Sequence, residues 1–163
     1  MSPVKTINCH QDVILSMSFN INGSLLASAC KDCRIRVDSR AGPSSKKPTE
    51  RHRANKALSL GNLQKLLPTG TSRGSNRQMA LGAWDGLSVP ATEVDLDGPS
   101  GVLFPFYDAD TNVLSMVGKG DRNIHYHEIS ANKPRLNYAM EHRSHDPQQG
   151  VGVMPKRGLE VSS

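Results

Sequence analysis

Three groups of residues have the types and spacing for chemistry. Cys30-Lys-Asp-Cys33 has the separation of a zinc-ligand pair, and Cys9-His10 would complete a set of three cysteines and one histidine. His125-Tyr-His127 puts two imidazoles on one face of a strand, with His142 and His145 further along. Gly118-Lys-Gly120-Asp121 is half of a dinucleotide-binding glycine loop. Each is incomplete. The pattern around Cys30 places it at the end of a buried strand with Cys33 in the following turn, where thiols are structural. The histidine pair lacks a carboxylate or a further histidine held by supporting hydrogen bonds. No helical pattern follows Gly118-Lys-Gly120-Asp121, so that segment reads as a turn. Neither a G-x-S-x-G elbow nor a Cys-His-Asn set occurs. The chain is therefore expected to be no enzyme and to hold no metal or cofactor.

The elements around these residues are strands. Val13, Leu15, Met17 and Phe19 alternate with Ile14, Ser16 and Ser18, the period of an extended chain. Asn22-Gly23 then predicts a type I′ hairpin turn, with positive φ at both residues. A second strand follows over Leu25 to Cys30. Asp32 lies in the next turn, and Ile35 to Val37 begin a third strand. A histidine ahead of the first strand, a short turn, a second strand, a turn aspartate and a third strand closing on aspartate make up the WD-repeat signature. Cys9 stands where that signature has glycine, and the tryptophan before Asp38 is missing. His10, Ser28 and Asp32 are the expected members of a hydrogen-bonded network inside the blade. Loss of the tryptophan predicts a weakened network.

The pattern recurs. His52 follows His10 by about 42 residues, inside the ~40–45-residue period of WD repeats. After it come Lys56 to Leu60, a turn at Gly61-Asn62, a strand over Leu66 to Ser72, Asn76 in place of the turn aspartate, and Met79 to Leu81. A third unit begins near Gly101, turns at Asp108 to Asn112, and carries Asp121 about two periods after Asp32. The final GVGVMPKRGLEVSS begins another. The units fall at about 4–46, 47–95, 96–140 and 141–163. Arg40 to Arg53 and Gly86 to Ser100, rich in Pro, Gly, Ser and charge, are expected to be loops that carry the outer strand.

The fold class implied is all-β, a partial WD-repeat β-propeller of about three antiparallel blades. Its expected strands are Val13–Phe19, Leu25–Cys30, Arg34–Val37, Leu66–Thr71, Met79–Leu81, Gly101–Phe106, Val113–Gly118 and Asn123–His127. Blade two has Asn76 for aspartate and Gly82 where a large residue is usual, so it is expected to be the loosest. Open end blades would leave apolar surface and strand edges exposed, which predicts self-association or a fragment unable to fold alone.

Charge narrows the partners. Lys and Arg outnumber Asp and Glu by 20 to 15, for a net charge of +5. Lys46, Lys47, Arg51, Arg53 and Lys56 gather much of it into one candidate partner-binding basic loop. Aromatic residues make up only 4% and none interleaves this cluster, so a nucleic-acid stacking platform is disfavoured. An acidic protein partner suits the cluster better. No apolar run approaches the ~18 residues of a membrane span. Three cysteines imply no disulfide framework, as in a reducing compartment.

The chain carries the segments HQDVILSMSFN, NGSLLAS, DGLSVP, DLDGPSGVLFPFYDADTNVL, VGKGD and GVGVMPKRGLEVSS, and of these VLFPFYDADT and GVGVMPKRGL are far more specific than a generic WD repeat. In them the chain resembles the central propeller blades of coronins, from about Pro3 to Ser163. The resemblance implies a WD-repeat module that binds actin filaments, in the cytoplasm and at the cytoskeleton. Coronins have Arg or Tyr where this chain has His125, His127, His142 and His145, so those histidines read as substitutions rather than as a site. Gly82, and Trp84 two residues later than expected, mark a second departure.

Overall fold

The computed structural model describes residues 6–8, 10–39, 53–72, 74–84, 91–96, 101–130 and 135–154, with the backbone alone at 53–54. Eleven strands form among them: β1 (Ile14–Phe19), β2 (Leu25–Cys30), β3 (Ile35–Ser39), β4 (Arg53–Ser59), β5 (Lys65–Thr71), β6 (Arg77–Ala83), β7 (Thr92–Leu96), β8 (Leu103–Asp108), β9 (Val113–Gly118), β10 (Asn123–Ser130) and β11 (Arg135–Arg143). They make three antiparallel meanders, β1-β2-β3, β4-β5-β6-β7 and β8-β9-β10-β11, here blades I, II and III. No α-helix occurs among the described residues. The all-β, three-bladed reading holds.

Turn chemistry explains the meanders. The first hairpin is not type I′. Gly23 N–H donates to Asn20 O at 3.0 Å, and of the turn residues Gly23 alone has positive φ, at 69°. This is a type I turn followed by a left-handed glycine. Asn22 is instead occupied as a side-chain cap, its Oδ1 accepting Ser24 N–H at 3.0 Å and Ser24 Oγ–H at 2.6 Å. In blade II a 3-10 turn over Gly61–Leu63 ends on left-handed Gln64. In blade III Asp108 caps the turn, accepting from Asp110 N and Thr111 Oγ, and Asn112 takes the left-handed position at 55°.

Two blade-to-blade seams hold the core. Between I and II, Ala27, Ala29, Ile35 and Val37 meet Ala57, Leu66 and Trp84. Between II and III, Leu67, Met79 and Leu81 meet Leu103, Leu114, Met116 and Ile129. Each fully buried leucine or isoleucine contributes about 1.5–3 kcal/mol of transfer free energy. The first strands β1, β4 and β8 lie side by side. Ser18 Oγ accepts Ser59 N–H at 2.9 Å, and Ser16 Oγ lies 3.4 Å from both Ala57 N and Ala57 O. The polar positions of β1 thus face its neighbour, whereas Met17 and Phe19, 64% and 62% exposed, face outward.

One expectation changes. Trp84 directly follows β6 and is buried in the I–II seam, so blade II keeps its indole despite Gly82. Blade II is also covered on both faces, whereas the outward face of β1 is bare. Blade I, not II, is the more exposed. The sheets are offset from the sequence units as well, since the boundaries at 95/96 and 140/141 fall inside β7 and β11.

Candidate functional site

Blade I assembles a continuous polar chain. His10 Nε2 lies 2.6 Å from Ser28 Oγ, and His10 Nδ1 lies 2.8 Å from an Arg36 guanidinium nitrogen. Arg36 also pairs with Asp32 Oδ2 at 2.7 Å, and Asp32 Oδ1 accepts Arg34 N–H at 3.1 Å. Strand geometry dictates this. Ser28 and Arg36 are register partners on β2 and β3, so both point to the same face, and the turn at Asp32 curls back beneath them. Arg36, which the sequence did not single out, provides the link between histidine and aspartate. No spacing in the sequence marks it, because its place opposite Ser28 is set by the β2–β3 register. Burial, and then Arg36, push His10 below its ordinary pKa of 6.5. The hydrogen bond from Arg36 holds Asp32 below its ordinary carboxylate value.

The ligand atoms of His10, Cys30 and Asp32 lie within 4.8 Å of one another. The Arg36 guanidinium already holds His10 and Asp32, and its fixed positive charge opposes a cation there. Cys30 Sγ donates to Asp12 O at 3.3 Å, and Cys33 Sγ is turned to Lys31 O at 3.7 Å. Cys9 lies outside the described residues. Among the described residues His10, Ser28 and Asp32 are joined by hydrogen bonds and an ion pair to Arg36.

Asp121 and Arg77 form the second polar feature. Asp121, in the turn between β9 and β10, pairs with Arg77 at the start of β6, so its partner lies in the neighbouring blade rather than its own. Gly118 is required beside them, because an added Cβ would strike the Asp121 carboxylate and stand 2.6 Å from the Arg77 guanidinium. The glycines of Gly118-Lys-Gly120-Asp121 thus serve an ion pair, with Gly120 at a φ of 87° completing the turn.

His127 is buried edge-on to Tyr138, ring centroids 5.8 Å apart, and His125 lies 3.8 Å from Glu141. Burial, then the neighbouring His125, lower the His127 pKa. Of the basic cluster, Lys46, Lys47 and Arg51 lie outside the described residues, as does His52. Arg53 begins β4. Lys56 is a strand residue, its ammonium 5.2 Å from the centre of the Phe104 ring, and is not part of a loop. A cleft of about 450 Å³ opens between the first turns of blades I and II, walled by Asn20, Asn22, Gln64, Lys65 and Trp84. Its asparagine side chains are already bonded within their turn, and among the described residues that wall it Lys65 carries the charge.

Comparison with known proteins places this architecture. The family model for the WD domain, G-beta repeat, matches residues 1–37. Coronin-2A of Bos taurus is 75% identical over all of this chain and 31% of its own length. Coronin-2A of Homo sapiens is 66% identical over 99% of the chain and 31% of its own length. Coronin-2B of Mus musculus is 55% identical over 99% of the chain and 34% of its own length. Among solved structures, the WD40 domain of Toxoplasma gondii coronin superposes with a TM-score of 0.82 at 24% identity, over 93% of this chain and 40% of that one. The last likeness shows the fold. The chain spans about a third of the length of the curated relatives it matches. With three WD-type blades and these identities running from end to end of it, the chain is homologous to the coronins.

Proposed function

We propose that the chain is a coronin-like actin-filament-binding module of the cytoplasm and cytoskeleton, a binding surface rather than an enzyme. The observation that carries this is the 75% identity to coronin-2A along the whole chain. The net charge of +5 supports it, since actin presents an acidic surface. Lys46, Lys47, Arg51 and Arg53 are the proposed contacts, and Lys56, held against Phe104, drops out of the set. Contacts of this kind are electrostatic, so binding is weak and screened by salt. Co-sedimentation with actin filaments tests the reading. Affinity is expected at micromolar or weaker, about −8 kcal/mol or less favourable. It should disappear with rising salt and on charge reversal at those four positions. Binding indifferent to both would place the contact elsewhere on the blades. Absence of binding by a folded sample would favour an inert fragment, a reading that the bare face of β1 also supports.

A further inference from the structure

Gly82 and Trp84 together set the indole of blade II at the end of its strand. Gly82 is the register partner of Leu66, which lies in the seam between blades I and II. Residues two apart on a strand share a face, so Trp84 stays in that seam, about 7 Å beyond the position where Gly82 has no side chain. β6 ends at Ala83, whose register partner is Lys65 at the start of β5. The indole thereby becomes a wall of the cleft of about 450 Å³ between the first turns of blades I and II. Both blades belong to the described residues, and the cleft is built by their mutual packing. Ligand sites have volumes of about 300–1,000 Å³.

The cleft has two chemistries. Ile21, Leu63 and Trp84 give it an apolar wall, with Ile21 66% exposed. On the polar side, Asn20 Oδ1 accepts Leu25 N–H and Asn22 Oδ1 accepts from Ser24, so those acceptors are engaged. Gln64 is exposed and Lys65 half-buried, and neither side chain makes a hydrogen bond or ion pair among the described residues. No carboxylate occurs among the described residues that wall the cleft. Its potential is therefore positive and rich in donors, beside an apolar surface.

We propose that this cleft binds an acidic peptide segment, with an aliphatic side chain against Ile21, Leu63 and Trp84 and a neighbouring carboxylate on Lys65. An extended peptide with glutamate or aspartate beside leucine meets both demands within one residue. A nucleic-acid backbone supplies the charge without the apolar anchor. The half-buried position of Lys65 strengthens its pairing relative to a fully solvated lysine. The site is separate from the proposed filament contacts. Arg53 opens β4, whereas the cleft lies beyond the other end of that strand.

The probe is the acetylated, amidated peptide Glu-Glu-Leu-Glu-Glu, titrated into the 163-residue chain and followed by calorimetry and by the emission of Trp84, its only tryptophan. Saturable binding with a change in emission is expected. The peptide with glutamine for every glutamate should bind at least about tenfold more weakly. Lys65→Glu should cause a similar loss, and Lys65→Arg should keep binding. Ile21→Glu should also weaken it. Lys31→Glu makes the same charge change at an exposed residue of the β2–β3 turn, at the opposite end of β2, and should leave affinity unaltered. Thermal melts of the variants are expected to match the parent, and if Ile21→Glu lowers the melt, the Lys65 and Lys31 pair decides. Absence of binding by both readouts would overturn the proposal. Equal losses at Lys65 and Lys31, or equal affinity for the glutamine peptide, would overturn it as well, since neither is expected of a carboxylate seated on Lys65.

Discussion

Arg77 and Asp121, 3% and 6% exposed and in different blades, form a buried ion pair across the seam between blades II and III. Its removal by halves leaves a charge in a place built for two. Asp121→Ala or Arg77→Ala should cost about 3–5 kcal/mol. The pair replaced together, Arg77→Met with Asp121→Leu, should cost far less than the sum. A double-mutant cycle in urea checks this, and additive losses would mean that the two side chains act separately.

Gly118 is tied to the same pair. Gly118→Ala should cost about 1–3 kcal/mol by overpacking, since Asp121 and Arg77 fill the space of the missing Cβ. The cost should shrink once Asp121 is alanine. Gly120→Ala meets open space and pays only for its φ of 87°, about 1–2 kcal/mol, whatever stands at position 121. Thermal melts of the four variants separate steric from conformational roles.

Much of this was legible in the chain and part was not. β2 and β9 fall at the expected bounds and β1 within one residue, because apolar alternation between strong turn signals marks both ends. β7 lies inside the stretch expected to carry an outer strand. β11 was missed because its pattern is almost wholly exposed. It is an outer strand fixed by its ladder to β10, and an outer strand needs no apolar period. The wrong turn type at Asn22-Gly23 has a similar cause: Asn22 spends its side chain on Ser24 rather than its backbone on positive φ. His10, Ser28 and Asp32 could be placed by spacing, but Arg36 and the Arg77–Asp121 pair needed the register of strands and the stacking of blades.

Stability should fall on acidification below about neutral pH. His10 and His127 both have folded-state pKa values below 6.5, so the unfolded chain binds more protons than the folded one as pH drops through that value. Their contribution is complete above 6.5 and is lost below it. Asp32, also lowered, adds a second loss below its ordinary 3.8. For His10 the facing groups are Ser28, Arg36, Asp32 and Asp38, and Arg36 reinforces the neutral imidazole. Urea midpoints measured from pH 7.5 down to about 5 should decline, and His10→Gln together with His127→Phe should flatten the decline. An unchanged slope in the double variant would assign the acid sensitivity elsewhere.

Trp84 reports the order in which the blades open. It is the only tryptophan of the chain and lies in the seam between blades I and II against Ala57 and Leu66. Trp84→Ala should cost about 3–5 kcal/mol, the cost of emptying a buried aromatic site. Blade II is packed on both faces, whereas β1 has solvent on one side. Local opening begins where apolar contacts are fewest. Amide exchange should therefore be slowest in β5 and β6 and faster in β1. With Trp84 replaced, β1 to β3 should lose protection before β8 to β10, since the II–III seam does not use the indole. Faster exchange in β5 than in β1 would instead show that Gly82 weakens its blade more than the neighbours support it.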